Sequence, residues 1–415
     1  VLCGPNGSGK STIVRWIYYL VNLIHNYDIY ESSEYVNELK DILLGLIRLR
    51  IPTYSSTTYL EDSISRIVRL NPQSENYMDE VRSEFTNAIT LFSEDLVSYL
   101  PKIGERKVSR VLNFIQEILG NEEILLMHSI GTDYYRELFS DCENKLYESY
   151  RKNIEIHPIE NLKKYIIQHF EEYDPFPTRI QIAEDDVKLL SKESFDNLLG
   201  LHRAIYIDTP MSVVTMASKM NNAHWYYLQN LLIQKNKNHI YTMADKKIQR
   251  RIHSILHGTV ETRKETQSRA KLHFVRDDGL DIEVSKIATG MKSFVYLLQL
   301  LSNGWLDKNT LLIIDEPEAH EHPQWIVDFA RLLVLLNKEL GVKFLLASHN
   351  PDMVSAIQSI AKREGIIDDL TFYQASLEDG SLYKYRFENQ GTELMNIFKS
   401  FNIALDRIRD YGERV

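Results

Sequence analysis

The sequence predicts an α/β fold with a mixed central sheet and a large, mostly helical insertion. Two apolar runs, at residues 311–314 and 342–347, are each followed by polar side chains and a proline. Near-continuous runs of this kind are typical of strands that are buried on both faces of a parallel sheet. The first run ends at Asp315 and Glu316, and the second ends at Ser348 and His349. Because ligands of open α/β sheets bind at the carboxyl ends of the strands, these side chains are candidates for a functional site.

The composition excludes several classes of protein. The 415 residues are 44% hydrophobic and 26% charged, which is typical of a globular protein. No apolar run approaches the ~18 residues of a membrane-spanning helix, so no membrane association is predicted. The chain has two cysteines, Cys3 and Cys142, which argues against a disulfide framework and favours a cytoplasmic location. The net charge of −10 argues against a generally basic nucleic-acid-binding surface but is compatible with a local basic groove.

The beginning of the chain fits the phosphate-binding pattern G-x-x-x-x-G-K-[ST]. The matching residues are Gly4, Pro5, Asn6, Gly7, Ser8, Gly9, Lys10 and Ser11, and Thr12 opens an apolar helical run. Glycines let backbone N–H groups turn towards phosphate oxygens, the lysine brings a charge to the β- and γ-phosphates, and the serine hydroxyl can bind Mg²⁺. The helix N-terminus adds to the attraction for an anion. A strand feeding this loop needs residues before Val1, so we expect early strands to precede the sequence.

The carboxylates after residue 314 complement this loop. Asp315 can hold Mg²⁺ through water, and Glu316 can act as a base towards an attacking water molecule. His349 can form a hydrogen bond with a γ-phosphate. Each feature alone also fits a structural role, as an acidic turn or a strand-end histidine. The phosphate-binding loop in the same chain favours the functional interpretation.

Residues 26–200 do not resemble a minimal nucleotide-binding fold, so we predict one domain from residues 1–25 and 201–415 that this insertion interrupts. Apolar residues at intervals of three and four predict helices at residues 79–103, 110–119 and 134–151. The insertion is either a packed lid or a contact surface for a partner or DNA. Its small basic cluster, Lys102, Arg106, Lys107 and Arg110, is more typical of a solvated helix face.

The remainder of the chain alternates between predicted strands and helices. We expect strands around residues 180–182 and at 204–207, where the chain re-enters the sheet, and hairpins at residues 271–284 and 370–387. Predicted helices cover residues 212–234, 245–256, 294–301, 324–340 and 392–411. Asp208 follows a strand. It could lie near the nucleotide, but a role as the cap of the strand end is favoured. Residues 285–293 form a glycine-containing turn that opens a further helix N-terminus suited to anions.

In this order, these segments resemble the ABC-type P-loop ATPases related to SMC, RecF and OLD proteins. The similarity is greatest to the bacterial AAA_15/AAA_21-type ATPases of anti-phage defence systems such as Septu and PARIS. It covers residues 1–23 and about 203–390 and is carried by DGLDIEVSKIATGMKSF, LLIIDEPEAHEHPQW, NKELGVKFLLASHNP and FYQASLEDGS. The resemblance implies an ABC-type P-loop NTPase fold and ATP hydrolysis with Mg²⁺.

The resemblance also implies roles for individual residues. Residues 4–11 correspond to the Walker A loop, Asp315 to the Mg²⁺-binding aspartate with Ser11, Glu316 to the general base and His349 to the switch histidine. Residues 318–322 correspond to the D-loop region. Residues 287–292 correspond to the signature motif, which in this family covers ATP bound to a second protomer. Ala288 and Met291 depart from the usual signature, and Thr289, Gly290 and Lys292 are expected to contact that nucleotide.

The expected assembly is therefore a homodimer or higher homo-oligomer that controls a separate effector, a nuclease or toxin, in anti-phage defence. One alternative is a RecF- or SMC-like repair ATPase acting directly on DNA, and RNA is a further candidate ligand. Another alternative, which the altered signature allows, is an ATP-binding scaffold with little turnover. Glu318, His320 and His322 could instead bind a transition metal. A built-in nuclease domain is not expected, because too few residues follow His349.

Overall fold

The computed structural model describes residues 1–49, 51, 58–72, 74–120, 131–169, 181–184, 186–208, 223–266, 269–319 and 321–399. The chain divides into two compact units. The first contains Val1–His25, Tyr165–Lys188 and Asn197–Val415, and the second contains Asn26–Lys164 and Leu189–Asp196. Within the described ranges, no helix is both long and apolar enough to cross a membrane.

The elements of the chain up to residue 188 are mainly helices. Strand β1 (Leu2–Cys3) leads into α1 (Lys10–His25). Five helices of the second unit follow: α2 (Tyr27–Arg48), α3 (Thr58–Arg69), α4 (Tyr77–Tyr99), α5 (Glu105–Ile118) and α6 (Thr132–Ile156). Next come α7 (Ile159–His169) and two short strands, β2 (Ala183–Glu184) and β3 (Val187–Lys188). The three helices predicted in the insertion are confirmed as α4, α5 and α6, with shifted ends.

The rest of the chain supplies most of the sheet. Its strands are β4 (Arg203–Ile207), β5 (Gly258–Thr266), β6 (Arg269–Arg276), β7 (Asp281–Glu283), β8 (Thr310–Asp315), β9 (Lys343–Ser348), β10 (Phe372–Leu377) and β11 (Tyr385–Gly391). Its helices are α8 (Ala223–Ile233), α9 (Met243–Leu256), α10 (Thr289–Ser302), α11 (Pro323–Leu340) and α12 (Pro351–Glu364). Helical conformation is described at residues 395–399, and the rest of the predicted terminal helix lies mostly outside the described residues. Residues 212–222 of another predicted helix also lie outside them.

The central sheet of the first unit confirms the predicted mixed α/β fold. Its six strands lie in the order β11-β10-β1-β9-β8-β4, and only β11 pairs antiparallel to its neighbour. All six residues of β8 are buried, which explains why its sequence is a continuous apolar run. Side chains from α8 to α12 cover the sheet in one large apolar core. The parallel order brings the carboxyl ends of β1, β9, β8 and β4 to one edge.

Two expectations about this unit require correction. The strand predicted around residues 180–182 does not extend the central sheet within the described residues, where β2 and β3 form a separate two-stranded hairpin. The hairpin predicted at residues 271–284 is correct, but it belongs to a three-stranded antiparallel sheet with β5. Strand β5 has the sequence GTVETRKET, which lacks apolar alternation. Pairing with β6 along its length, rather than a buried face, therefore makes it a strand.

The second unit is helical and has its own apolar core. Residues such as Leu39, Phe85, Phe92 and Phe139 are almost fully buried in it. The buried carboxylate of Glu143 accepts two hydrogen bonds from the Arg82 guanidinium, at 2.6 and 3.0 Å. The hydroxyl of Tyr35 donates a further hydrogen bond to Glu143. Because a buried charge is tolerated only when it is paired, this group stabilises one particular packing of α2, α4 and α6.

Candidate functional site

The phosphate-binding loop connects β1 to α1, as the sequence predicts. Gly4, Gly7 and Gly9 have positive φ angles of 156°, 78° and 87°. An added Cβ at Gly7 or Gly9 would meet no atom within 4 Å, so the backbone conformation, not crowding, requires glycine there. At Gly4 an added Cβ would lie 2.6 Å from the Cβ of Ala375. The loop therefore packs directly against β10.

The ammonium group of Lys10 lies inside this loop. Its Nζ donates hydrogen bonds to the carbonyl oxygens of Gly4, at 2.8 Å, and Pro5, at 3.0 Å. Burial lowers the pKa of Lys10, and the nearby carboxylates of Asp315 and Glu316 oppose this effect. The buried hydroxyl of Ser8 has no hydrogen-bond partner within the described ranges. The loop thus presents a cation and a polar donor in a cradle of suitable shape for phosphate.

Ser11 and Asp315 come together at the start of α1 and the end of β8. The hydroxyl of Ser11 lies close enough to the Asp315 carboxylate to lower its pKa. Burial raises the pKa of Asp315, and so do the charges of Asp208 and Glu316, whereas Ser11 and Lys10 lower it. A hydroxyl and a carboxylate are hard oxygen ligands of the kind that Mg²⁺ prefers. These two residues therefore fit the Mg²⁺ site that the resemblance implies.

Glu316 adopts a strained backbone conformation. Its φ angle is +49°, in the left-handed region that residues other than glycine seldom occupy. Its N–H donates a hydrogen bond to the carbonyl of Ala347, at 2.8 Å, so the turn is tied to the end of β9. Strain of this kind clusters at functional sites, where the surrounding structure maintains it. The side chain of Glu316 remains 32% exposed and is accessible to solvent.

His349 lies next to Glu316 at the adjacent strand end. Its Nδ1 is 3.5 Å from Oε1 of Glu316 and 3.5 Å from Oε1 of Glu318. The imidazole is 43% exposed. Because β8 and β9 are neighbouring parallel strands, Glu316 and His349 meet at one edge although they are 33 positions apart in the chain. The location of Glu316 and His349 at one sheet edge was expected from their positions at strand ends.

Glu318 contributes contacts that the sequence pattern did not indicate. Its buried carboxylate accepts hydrogen bonds from the Ser348 hydroxyl, at 3.0 Å to each oxygen, and from the His349 N–H, at 3.1 Å. Glu318 was predicted as part of the D-loop region and, in the alternative, as a transition-metal ligand with His320 and His322. No local pattern distinguishes it from the other acidic residues of the same turn, because its partners lie 30 and 31 residues further along the chain.

Asp208 lies at the same edge as Asp315. Strand β4 pairs with β8 with Ile207 opposite Ile314, so the two aspartates follow directly on neighbouring strands. Nε2 of His224, which is 6% exposed, lies 3.6 Å from Oδ2 of Asp208. The structure thus places Asp208 beside Asp315 at this sheet edge, and its position near a nucleotide stays a prediction. The run AIYI before Asp208 was the only signal for this position.

The predicted signature segment forms the beginning of α10. Ala288 precedes the first turn, Thr289 is partly exposed, and Gly290 is buried. Lys292 is also buried, at 8% exposure, so contact with a nucleotide on another copy would require its side chain to move. The role of Thr289, Gly290 and Lys292 in binding nucleotide stays a prediction.

The alternative of a transition-metal site involves His320, which lies outside the described residues. His322 is the N-cap of α11, where its Nδ1 accepts a hydrogen bond from the Gln324 N–H at 3.4 Å. Across the parts of the chain that the structure describes, no group of three histidine, cysteine or acidic side chains could hold a metal ion.

Similarity to known proteins was found at the level of sequence and of structure. Over 151 residues the chain is 26% identical to the energy-coupling factor transporter ATP-binding protein EcfA2 of Mycoplasma capricolum subsp. capricolum. This match covers 33% of the chain and 51% of that protein, so the chain spans about half the length of the curated relative.

Two of the solved structures that match are heads of SMC proteins. The SMC head domain from Thermotoga maritima is 16% identical, with 39% of this chain and 51% of that chain covered and a TM-score of 0.25. The Smc head domain with a coiled coil and joint from Pyrococcus yayanosii is 12% identical, with 96% and 63% covered and a TM-score of 0.30.

The family comparison covers the loop, the helical region and both strand ends described above. Residues 1–354 match the family AAA_15, an AAA ATPase domain. The matched range includes Lys10, Asp315, Glu316 and His349. The chain therefore belongs to the AAA_15 family of AAA ATPase domains.

Proposed function

We propose that this chain binds ATP with Mg²⁺ at the loop edge of its central sheet and hydrolyses it. One observation carries the proposal: a lysine-bearing phosphate loop, a serine–aspartate pair and a glutamate–histidine pair meet at one sheet edge. Lys10 occupies the loop, Ser11 contacts Asp315, and Glu316 lies 3.5 Å from His349. Phosphoryl transfer to water requires that the reactants are positioned, that charge on the phosphates is neutralised and that a base activates the water. The groups at this edge can serve these three roles.

In this proposal each residue acts through the contacts that its position permits. Gly4 to Gly9 direct backbone N–H groups at the phosphates, and Lys10 exchanges its two carbonyl partners for phosphate oxygens. Glu316 accepts a proton from the attacking water, and His349 contacts the terminal phosphate. Held by Ser11 and Asp315, Mg²⁺ would neutralise charge on the phosphate oxygens.

Hydrolysis is tested by nucleotide affinity and turnover of the full chain. For Lys10→Ala we expect ATP affinity to fall by about 10- to 150-fold, since a hydrogen bond to a charged group contributes about 1.5–3 kcal/mol. For Glu316→Gln we expect ATP binding to persist while turnover falls by about 100-fold or more, because only the base is lost. Lys338→Ala, which removes an exposed lysine paired with Glu364, is the matched control for Lys10.

The outcome for Glu316→Gln decides the assignment of the base. An unchanged rate of hydrolysis in this variant would exclude Glu316 from that role. A single-turnover measurement on the natural sequence also distinguishes a working ATPase from a scaffold that retains ATP. Recovery of unhydrolysed ATP after many hours would favour the scaffold.

We further propose that ATP binding joins two copies of the chain and that this assembly controls a separate effector, a nuclease or toxin, in anti-phage defence. The support is the resemblance of the segments around Asp315 and His349 to ATPases of such systems. The expected observations are a dimer of Glu316→Gln in ATP by light scattering, and a stoichiometric effector that co-purifies with the tagged protein from its native host. Glu316→Gln remaining monomeric in saturating ATP would contradict the dimer.

One observation favours a second candidate function, direct binding of DNA or RNA. Lys102, Arg106, Lys107 and Arg110 of the helical unit are all exposed, and none forms an ion pair within the described ranges. Exposed cations on α5 (Arg106, Lys107 and Arg110) and in the short turn before it (Lys102) suit a phosphate backbone. ATP-dependent DNA binding that weakens steeply with salt, and that is lost when these four residues are changed to alanine, would favour this function. DNA binding that is unaffected by the four substitutions would exclude the cluster as the DNA-binding surface.

A further inference from the structure

Glu318 is a buried carboxylate at the junction of two strand ends. It follows the strained turn at Glu316, yet its hydrogen-bond donors are Ser348 and His349 at the end of β9. Ser348 in turn accepts a hydrogen bond from the Asn350 N–H, at 3.1 Å, and the Asn350 side chain caps α12. Removing a carboxylate from water is unfavourable unless donors replace the water. These donors therefore tie the backbone of residues 348–350 to Glu318.

The same carboxylate also faces the imidazole of His349. Nδ1 of His349 is 3.5 Å from Oε1 of Glu318 and 3.5 Å from Oε1 of Glu316. Carboxylate oxygens are hydrogen-bond acceptors, so both favour a ring with its proton on Nδ1. The hydrogen bond made by one ring nitrogen determines which nitrogen remains for a ligand. Nε2 is then the nitrogen available to a phosphate oxygen or to water.

We propose that Glu318 is a positioning residue that fixes the orientation and the Nδ1-protonated tautomer of His349. This inference rests on the proposed function of the site, since it states how His349 is prepared to meet the terminal phosphate. Glu316 shares the Nδ1 contact, but it is partly exposed and is expected to exchange partners when water is activated. Glu318 is buried and accepts hydrogen bonds from two donors, the Ser348 hydroxyl and the His349 N–H, so it is the partner that keeps the ring in place.

The test compares the natural sequence with Glu318→Gln, first without nucleotide. Glutamine keeps the shape of the side chain, but it removes the anionic acceptor and supplies an amide donor to Nδ1. ¹⁵N spectra of the histidine rings at pH 8, with His349 assigned from the loss of its signals in His349→Gln, report the tautomer directly. We expect Nδ1–H in the natural protein and a shift towards Nε2–H in Glu318→Gln.

The second readout is turnover of ATP. We expect kcat to fall by about 10- to 100-fold in Glu318→Gln, as for other residues that orient a reacting group, while the Kd for ATP changes less than about twofold. Glu339→Gln is the matched control, because Glu339 is a partly buried carboxylate on α11 that pairs with Lys247 at 2.6 Å. It should leave both the His349 tautomer and kcat unchanged.

Two results would overturn the inference: a natural protein with Nε2–H, or the same tautomer in both proteins, whatever the change in kcat. The spectrum of the natural protein needs no variant, so an Nε2–H ring there overturns the inference even if Glu318→Gln does not fold. It also needs no nucleotide. A natural protein that fails to hydrolyse ATP but shows the Nδ1–H tautomer would therefore refute the proposed function while supporting this inference.

Discussion

At most positions an alanine variant is more stable than a glycine variant. The backbone strain at Glu316 predicts the opposite order at this position. Replacing Ala by Gly at an ordinary position destabilises a protein by roughly 0.5–1 kcal/mol, because glycine loses more conformational freedom on folding. At Glu316, where φ is +49°, a residue with a Cβ is strained by roughly 1–2 kcal/mol and glycine is not. We therefore expect Glu316→Gly to be more stable than Glu316→Ala by about 0.5–1 kcal/mol.

Both variants lose the carboxylate and its contact with His349, so their difference isolates the backbone term. The assay is urea unfolding followed by tryptophan fluorescence. All four tryptophans lie in the unit that contains the central sheet, so the signal reports that unit. The full list is Trp16, Trp225, Trp305 and Trp325. Each 1 kcal/mol shifts the urea midpoint by about 0.3–1 M for slopes of ~1–3 kcal/mol per M.

Ala319→Gly provides the control, because Ala319 lies in the same turn and does not have a positive φ angle. This variant should be destabilised in the ordinary direction. Glu316→Ala that equals or exceeds Glu316→Gly in stability would refute the reasoning. It would mean that the left-handed conformation of residue 316 is not maintained in solution.

Two further predictions concern neighbouring parts of the same unit. Gly4→Ala should lower stability by about 1–3 kcal/mol in the same fluorescence assay and weaken ATP binding, because its Cβ would lie 2.6 Å from Ala375. The control Gly200→Ala, whose Cβ meets only Glu184 at 3.6 Å, should be nearly neutral, and equal losses in both variants would contradict the packing argument. Burial raises the pKa of Glu321 from 4.5 to about 8. The folded protein therefore retains a proton that the unfolded chain releases, and this stabilisation is complete below pH 4.5 and is lost as pH rises through about 8. In urea unfolding, the stability of Glu321→Gln relative to the natural protein should therefore increase as pH rises from 5 to 8. A stability difference that does not vary with pH would contradict this prediction.

Local sequence patterns predicted the candidate residues of the site and most of its elements. The spacing of glycines before Lys10 requires a tight turn that only a few backbone conformations satisfy, so the loop could be recognised without the fold. The apolar run before Asp315 identified β8 because a strand buried on both faces has no polar alternation. Helices α4, α5 and α6 followed from the 3.6-residue period of their apolar side chains, which is likewise a local property.

The tertiary structure decided which of these pieces meet. Strand order brought β1 between β9 and β10, so that Gly4 packs on Ala375, and it placed Asp208 beside Asp315. The left-handed turn at Glu316 is maintained by a hydrogen bond to Ala347, 31 residues further along the chain. Glu318 is one of several acidic residues in sequence and becomes distinct only through Ser348 and His349. Sequence determined what each segment is, because residue spacing acts over a few positions. The structure determined which segments touch, because strand pairing and buried hydrogen bonds form between residues that are distant along the chain.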